Sequence, residues 1–168
     1  QAVLAASHVL INEVVSSNVT SIVDEDGNSS DWIELYNPGD VSVRLGGYSL
    51  SDDLRKPQLW TFPNIVLQPR SFLLVFASKK DRLDPTQLHT NFKISAAGEI
   101  LLLSSPDFGV VDSISVPSLQ ADQSYGRLPD GGTSWTFMNS PTPGVANTVS
   151  GDEDWIAQPV YSSASGFY

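Results

Sequence analysis

The apolar segments of this chain are short, and clusters of Gly, Pro, Asn, Asp and Ser separate them at short intervals. Segments of that length, rich in β-branched and aromatic residues, are typical of the strands of a β-sandwich. No stretch of helical length carries an apolar stripe at a period of 3.6 residues, and Pro85 interrupts the best candidate, residues 79–88. The pattern therefore predicts an all-β fold with at most one helical turn in that region.

The predicted strands follow one another along most of the chain. They are residues 9–15, 32–37, 42–45, 48–51, 60–62, 71–77, 99–103, 110–116, 124–128 and 135–138. In the second of these, alternation places Ile33 and Leu35 on one face, which we expect to point into the core. Trp32, Glu34 and Tyr36 share the other face. Strands of this kind predict two stacked sheets.

The composition is that of one folded domain without covalent crosslinks. Of the 168 residues, 40% are hydrophobic and 17% are charged, so the chain can bury a core of ordinary size. Cysteine is absent, which excludes disulfides, thiolate zinc sites and cysteine nucleophiles. The longest apolar run, residues 72–77, has the length of a strand and is far shorter than the roughly 20 residues that span a bilayer. We expect no membrane insertion.

The charge balance limits the classes of partner. Nineteen acidic and nine basic residues give a formal net charge of −10. Such a surface repels a phosphate backbone, so nucleic acid is not expected as a partner. The same balance suits an extracellular protein and leaves spare carboxylates that could hold calcium. The expected partners are a protein or a cell-surface polysaccharide, bound by a monomeric module.

The composition changes at both ends of the chain. Residues 1–7 (Q-A-V-L-A-A-S) do not begin with Met and are interpreted as an N-terminal extension or a cloning remnant. Residues 8–147 form the predicted sandwich. Residues 148–154 (T-V-S-G-D-E-D) are polar and acidic, as in a linker, whereas residues 155–168 turn apolar and aromatic again. We expect residues 148–168 to be a linker and the truncated start of a following domain.

Seven motifs follow one another in residues 9–147. They are I-N-E-V at 11–14, D-E-D-G at 24–27, D-W-I-E-L-Y-N at 31–37, L-G-G-Y-S-L-S-D at 45–52, W-T-F-P at 60–63, S-Y-G-R at 124–127 and S-P-T-P-G-V-A-N at 140–147. In this order they resemble the bacterial lamin tail domain, a fold also found at the end of nuclear lamins. The resemblance implies an immunoglobulin-like β-sandwich of about nine strands.

The resemblance also implies a module of a larger secreted or surface-exposed bacterial protein. The motifs P-V-Y-S at 159–162 and S-G-F-Y at 165–168 are similar to the opening strand of a chitobiase C-terminal-like domain, which follows lamin tail domains in some bacterial surface proteins. One departure is Pro69 and Arg70, where relatives usually carry Pro-Gly; arginine resists positive φ, so we expect a type I turn. The acidic surface is another departure, and the nuclear and DNA-binding roles of lamins are not carried over.

An acidic loop is the candidate metal site. Asp24, Asp26, Asn28 and Asp31 place oxygen ligands around a glycine turn, which is how loops wrap calcium. The spacing is not that of an EF-hand, because the glycine comes too early and no glutamate closes the loop. The alternative is a solvated hairpin loop in which Asn28 or Asp31 forms Asx turns. Calcium is the only cofactor that the sequence indicates.

Three aromatic residues are the candidate ligand face. Trp32, Tyr36 and Trp60 could form a flat platform on an outer sheet face, the kind that stacks on sugar rings, with Glu34 as a polar neighbour. The alternative is that the rings close the edge of the core or lie beneath a loop, because large aromatic side chains are usually mostly buried.

No catalytic residues are predicted. His8 and His89 lie far apart and in no motif, so neither a Ser-His-Asp triad nor a histidine metal cluster is expected. Acidic pairs such as Asp52 with Asp53 are commonplace in turns. The expected function is a non-catalytic interaction, spacer or anchoring module. Carbohydrate binding through exposed aromatic residues is the alternative, and hydrolysis is a weaker one.

Overall fold

The computed structural model describes residues 8–148, which form twelve β-strands and no helix. The strands are β1 (Leu10–Val15), β2 (Asp31–Tyr36), β3 (Val43–Arg44), β4 (Ser49–Ser51), β5 (Trp60–Thr61), β6 (Val66–Leu67), β7 (Phe72–Ala77), β8 (Leu88–His89), β9 (Glu99–Ser105), β10 (Gly109–Val116), β11 (Ser124–Arg127) and β12 (Trp135–Met138). Among these residues no helix is long and apolar enough to cross a membrane. The predicted N-terminal extension, the linker beyond Thr148 and the predicted following domain lie outside the described residues.

Two stacked sheets and a small ribbon make up the sandwich. The first sheet has six strands in the order β12-β11-β1-β2-β7-β8, the second has four in the order β10-β9-β4-β5, and β3 pairs with β6. All pairs are antiparallel except β7 with β8. The predicted all-β sandwich is confirmed. It has twelve strands instead of about nine, and two of them, β6 and β8, lie outside the predicted strands.

One apolar core lies between the two sheets. Ile33 and Leu35 are fully buried in it, which confirms the face predicted from alternation in β2. The opposite face of the same sheet is covered as well, because Trp32 packs with Val15 and Phe76 in a second, smaller apolar cluster. The central strands are therefore buried on both faces.

A buried ion pair joins the two sheets at one side of the sandwich. Arg127 on β11 and Asp112 on β10 lie 3.0 Å apart. Asp112 accepts a hydrogen bond of 2.8 Å from the backbone N–H of Ile11, and Arg127 Nε donates to the Ile11 carbonyl at 2.7 Å. Removing one partner would leave the other charge buried and unpaired, which is strongly destabilising. The pair therefore holds β10 against β1.

The connection between β7 and β8 is irregular and contains no helical turn. Lys79 and Asp81 have positive φ values of 69° and 53°, and Arg82 forms an isolated antiparallel bridge with His89. A left-handed conformation costs a non-glycine residue about 1 kcal/mol or more, so surrounding contacts must hold it in place. This backbone carries the intervening Lys80 towards the acidic loop.

The turn before β7 also differs from the prediction. Arg70 has a φ of 56°, the positive value that a type II turn requires at its third position. Its backbone N–H donates to the Asn37 carbonyl at 2.9 Å, and its guanidinium lies 3.1 Å from Asp40. The prediction of a type I turn at Pro69 and Arg70 is therefore wrong, because these contacts hold the arginine in a conformation that it intrinsically disfavours.

Candidate functional site

The acidic loop between β1 and β2 does enclose a cation, and the cation is a lysine of the protein itself. Lys80 Nζ lies 2.6 Å from Asp24 Oδ2 and 2.8 Å from Asp26 Oδ2. It also lies 3.0 Å from Asn28 Oδ1. Three of the four residues predicted to bind calcium therefore converge, but on an ammonium group whose three donors match their three oxygen atoms.

Asp31, the fourth predicted calcium ligand, does not take part in this cluster. Its Oδ1 accepts a hydrogen bond of 2.9 Å from the backbone N–H of Asn18, and burial raises its pKa. Within residues 8–148, no group of three or more His, Cys, Asp or Glu side chains is arranged to hold a metal ion. The calcium prediction is therefore corrected, because Lys80 occupies the position predicted for the metal.

The cations around the acidic loop keep its carboxylates ionised. Burial would raise the pKa of Asp24, whose side chain is fully buried. Hydrogen bonds from Lys80, Ser30 and two backbone amides overcome that effect and hold its pKa well below the usual range. On the exposed side, Arg82 lies 2.8 Å from Asp26 and lowers the pKa of that carboxyl. The loop is thus a closed ionic network.

A chain of hydrogen bonds links the same loop to the first sheet through His89. Glu25 Oε2 lies 2.8 Å from His89 Nε2, and Ser78 Oγ lies 2.7 Å from His89 Nδ1. Arg82 pairs with Glu25 at 2.7 Å. The sequence does not reveal this trio, because Glu25 and His89 are 64 positions apart and no local motif marks them.

Ser78, His89 and Glu25 follow the order of a serine-histidine-acid triad, but their surroundings differ from those of a nucleophile. The ring of His89 is fully buried and stacks on Phe76 with centroids 5.2 Å apart. Ser78 Oγ already accepts the backbone N–H of Lys80 at 3.1 Å. An attacking serine needs an accessible hydroxyl and donors for the developing oxyanion. These contacts favour a structural role, in which His89 ties the acidic loop to β7 and β8.

A cavity of about 260 Å³ lies beside the ionic network. It is lined by Asn28, Ser29, Ser30, Asp31, Ala77, Ser78, Lys80 and Lys93. The hydroxyls of Ser29 and Ser30 donate to the Val19 carbonyl and to Asp24. Its walls therefore carry charges of both signs and hydroxyls that are already engaged, so they favour no single class of ligand.

The aromatic residues predicted to bind sugars do not share an exposed face. Trp32 is fully buried, and its indole Nε1 donates to Ser21 Oγ at 3.2 Å. Trp60 is 2% exposed and belongs to the main core. Tyr36 is partly exposed and stacks on Phe72 with centroids 4.9 Å apart. The platform hypothesis is wrong, and the alternative of buried rings is confirmed for Trp32 and Trp60.

Three other aromatic side chains lie together on β11 and β12, where two of them pack against the main core and the third is exposed. Tyr125 stacks on Trp135 with centroids 5.2 Å apart and contacts Phe137 at 5.1 Å. Phe137 is 49% exposed. We call Tyr125, Trp135 and Phe137 the aromatic shelf. The sequence predicts both strands but not the shelf, because the three rings meet only through the register of β11 with β12.

Two buried glutamates lie beneath the segment that follows β12, residues 140–147, which we call the strap. Glu13 and Glu34 are paired across β1 and β2, and both are fully buried. Glu13 accepts hydrogen bonds of 2.9 Å from the backbone N–H and the hydroxyl of Thr142. Glu34 accepts one of 2.5 Å from the backbone N–H of Gly144. The strap thus covers part of the first sheet on the face opposite the core.

Burial raises the pKa of both carboxyl groups. The pKa of Glu34 rises to about 8, since the negative charges of Glu13 and Asp130 add to the effect of burial. Burial also raises the pKa of Glu13, although the hydrogen bonds from Thr142 oppose the shift. Glu34 Oε1 has no hydrogen-bond partner in the part of the chain that the structure describes. A carboxyl group with such a pKa keeps its proton at neutral pH.

Two stacked, mainly antiparallel sheets define an immunoglobulin-like β-sandwich. The family model of the lamin tail domain matches residues 3–118, more than half of the chain. The chain therefore belongs to the lamin tail domain family. No curated protein matches it. β11, β12 and the strap follow the matched residues, and the two strands complete the first sheet.

Proposed function

We propose that this lamin tail domain is a non-catalytic interaction module, serving as a spacer or anchoring unit in a larger secreted or cell-surface bacterial protein. The aromatic shelf at the edge of the first sheet carries this proposal. β12 is the outer strand of that sheet, and no described strand pairs with its far side. An unpaired strand beside the exposed ring of Phe137 suits the addition of a strand from a partner protein.

The partner that fits this surface is an extended protein segment. Its backbone would pair with β12, and apolar side chains at alternate positions would pack near Trp135 and Phe137. A polysaccharide fits less well, because a sugar ring stacks on the free face of an aromatic ring. Trp135 already has Tyr125 stacked on it and the guanidinium carbon of Arg127 4.7 Å from its ring centroid.

The acid clusters support the non-catalytic part of the proposal. Lys80 and Arg82 neutralise the carboxylates of the acidic loop, and Glu13 and Glu34 are engaged by the strap. The secreted location rests on the acidic composition and on the sequence resemblance. The chitobiase-like domain proposed after residue 154 rests on that resemblance alone.

Site-specific photo-crosslinking in the full parent protein tests the proposal. Phe137 is replaced by p-benzoylphenylalanine, and cells that display the protein are irradiated. Phe108, which is 69% exposed beside the start of β10, provides the matched control position. We expect protein adducts from position 137 and only background from position 108, because both are exposed but only one lies on the aromatic shelf.

Phe137→Ser then measures the affinity that the shelf contributes to the protein identified in the adduct. We expect this substitution to weaken binding about tenfold or more, as for an interface anchor worth about 1.4 kcal/mol. Phe108→Ser should leave binding unchanged, and both variants should unfold at the wild-type temperature. Equal adduct yields at the two positions, or adducts that contain only glycan, would contradict the proposal.

A further inference from the structure

Within the described residues, no cation contacts the carboxyl pair beneath the strap. Glu34 on β2 faces Glu13 on β1 on one side and Leu74 on β7 on the other. Asp130, in the turn between β11 and β12, adds a third acidic group. The strap contributes uncharged donors. If all these acids were ionised, their charges would repel one another in a buried site.

The arginine of β11 does not supply the missing charge. Arg127 binds Asp112 at 3.0 Å and donates to the backbone carbonyls of Ile11 and Gly132. Its guanidinium is therefore committed to the contact between the two sheets. A proton is the remaining positive charge that can balance the glutamate pair.

The strap is held mainly by hydrogen bonds and not by apolar burial. Asn147 is the one buried residue of the strap, and its side-chain amide donates to the carbonyls of Asn12 and Arg127 at 3.2 and 2.7 Å. Val145, the largest apolar side chain of the strap, is exposed. Segments with few buried apolar contacts open locally at low free-energy cost. The charge state of the glutamates can therefore decide whether the strap stays in place.

We propose that one proton, held by the carboxyl groups of Glu13 and Glu34, keeps the strap closed over the outer face of the first sheet. Without that proton the pair carries two charges, which gain solvation only if the strap moves off and water enters. Opening uncovers the two carboxylates and leaves the apolar core intact. The domain thus contains a latch that is tight in acid and loosens as the pH rises.

The sign of this pH dependence follows from proton binding in the two states. In the closed state the pKa of Glu34 is about 8, whereas a solvated glutamate in the open state titrates at its ordinary value of 4.5. Between these values the closed state retains a proton that the open state releases. The ratio of closed to open molecules therefore falls by up to about tenfold per pH unit across this window and levels off above it.

Amide hydrogen exchange, corrected for the intrinsic rate at each pH, tests the latch. We expect the protection factors of the Thr142 and Gly144 amides to fall at least tenfold between pH 5 and pH 8. They should then stay constant at higher pH, while the core amides of Ile33 and Leu35 change far less. The local fall distinguishes an opening strap from unfolding of the whole domain.

Glu34→Gln mimics the protonated carboxyl and should make the pH dependence of the two strap protection factors much shallower, leaving only the contribution of Glu13. Glu99→Gln on β9, in the second sheet, is the matched control and should keep the wild-type slope. Glu13→Gln, which removes the neighbouring charge, should make the slope shallower and serves if Glu34→Gln fails to fold. Constant strap protection in the wild type would overturn the proposal. So would an undiminished slope in Glu34→Gln, or a parallel loss of protection in the core.

Discussion

The acidic loop and the carboxyl pair beneath the strap both bury acidic side chains. The pKa values of these side chains nevertheless shift in opposite directions. In the loop, burial alone would raise the pKa of Asp24, but Lys80 and other donors hold it well below the usual range. Beneath the strap, the pKa of Glu34 rises to about 8. Both carboxylates accept backbone N–H groups. The counter-charge, more than burial, decides which carboxylate ionises.

The two regions should therefore respond to pH in opposite ways. Because the pKa of Asp24 is lowered on folding, Asp24 adds to the free energy of unfolding above its ordinary pKa of 3.8, and this contribution is lost in stronger acid. Because the pKa of Glu34 is raised, its contribution is complete below pH 4.5 and is lost as the pH rises to about 8. If Asp24 and Glu34 alone are considered, the free energy of unfolding is largest in mildly acidic solution.

Removing the cation of the acidic loop should have the largest effect. Lys80→Met leaves Asp24 buried without its counter-charge, so we expect the free energy of unfolding to fall by about 2 to 3 kcal/mol. Urea denaturation at pH 7 measures this change. Lys79→Met, at the exposed neighbouring lysine, is the control and should change stability little. A loss for Lys80→Met no larger than that of the control would show that the ion pairs do not stabilise the loop.

Neutralising one carboxylate in each region should shift stability in opposite directions at pH 9. Asp24→Asn loses the charged partner of Lys80 and should destabilise the domain by about 1 to 2 kcal/mol. Glu34→Gln removes a buried charge without a counter-ion and should stabilise it by a similar amount, about 1 to 2 kcal/mol. At pH 4.5 the gain from Glu34→Gln should disappear. Equal signs for the two variants at pH 9 would refute the contrast between the regions.

Calcium should stabilise the Lys80→Met variant but not the wild type, in which Lys80 occupies the oxygen cluster of the acidic loop. Millimolar calcium should leave the unfolding temperature of the wild type unchanged, because Lys80 fills the cluster. In Lys80→Met the oxygen atoms of Asp24, Asp26 and Asn28 become available. Calcium at ten times its dissociation constant would then restore about 1.4 kcal/mol. Stabilisation of the wild type by calcium would mean that the metal displaces the lysine.

The exposed half of the ionic network should contribute least. Arg82 pairs with Glu25 and Asp26 at the surface, where solvent and salt screen the interaction. We expect Arg82→Met to shift the thermal midpoint far less than Lys80→Met, and the small shift to vanish in high salt. If Arg82→Met lowered the thermal midpoint as much as Lys80→Met does, the exposed ion pairs would contribute as much stability as the buried ones.

Local patterns in the sequence were sufficient for most of the fold. Alternation in β2 identified the core face of Ile33 and Leu35, and turn residues marked most strand ends. β6 and β8 were not predicted, because each has only two residues and is defined by its pairing with a strand that is distant in sequence or joined by an irregular connection. The positive φ of Arg70 was not predicted either. Contacts with Asn37 and Asp40, which are distant in sequence, override the local preference of arginine for negative φ.

The candidate sites depended more on long-range contacts and were harder to predict. The sequence located the oxygen cluster of the acidic loop, but its cation, Lys80, is 56 positions from Asp24. Likewise, Glu34 was identified only as a polar neighbour of aromatic residues. Its pairing with Glu13 and its cover by the strap depend on strand register and on a segment 110 positions away.

The ion pair between Arg127 and Asp112 bears on aggregation. β10 and β12 are the outer strands of the two sheets on the side where β10 lies against β1. A bulge between Val110 and Asp112 interrupts the ladder of β10, and Asp112 turns its charge inward to Arg127. An inward charge and a bulge on an outer strand discourage a second molecule from pairing along it. The inward charge that joins the sheets should therefore oppose edge-to-edge pairing along β10, whereas β12 carries no charged side chain on the same side of the sandwich.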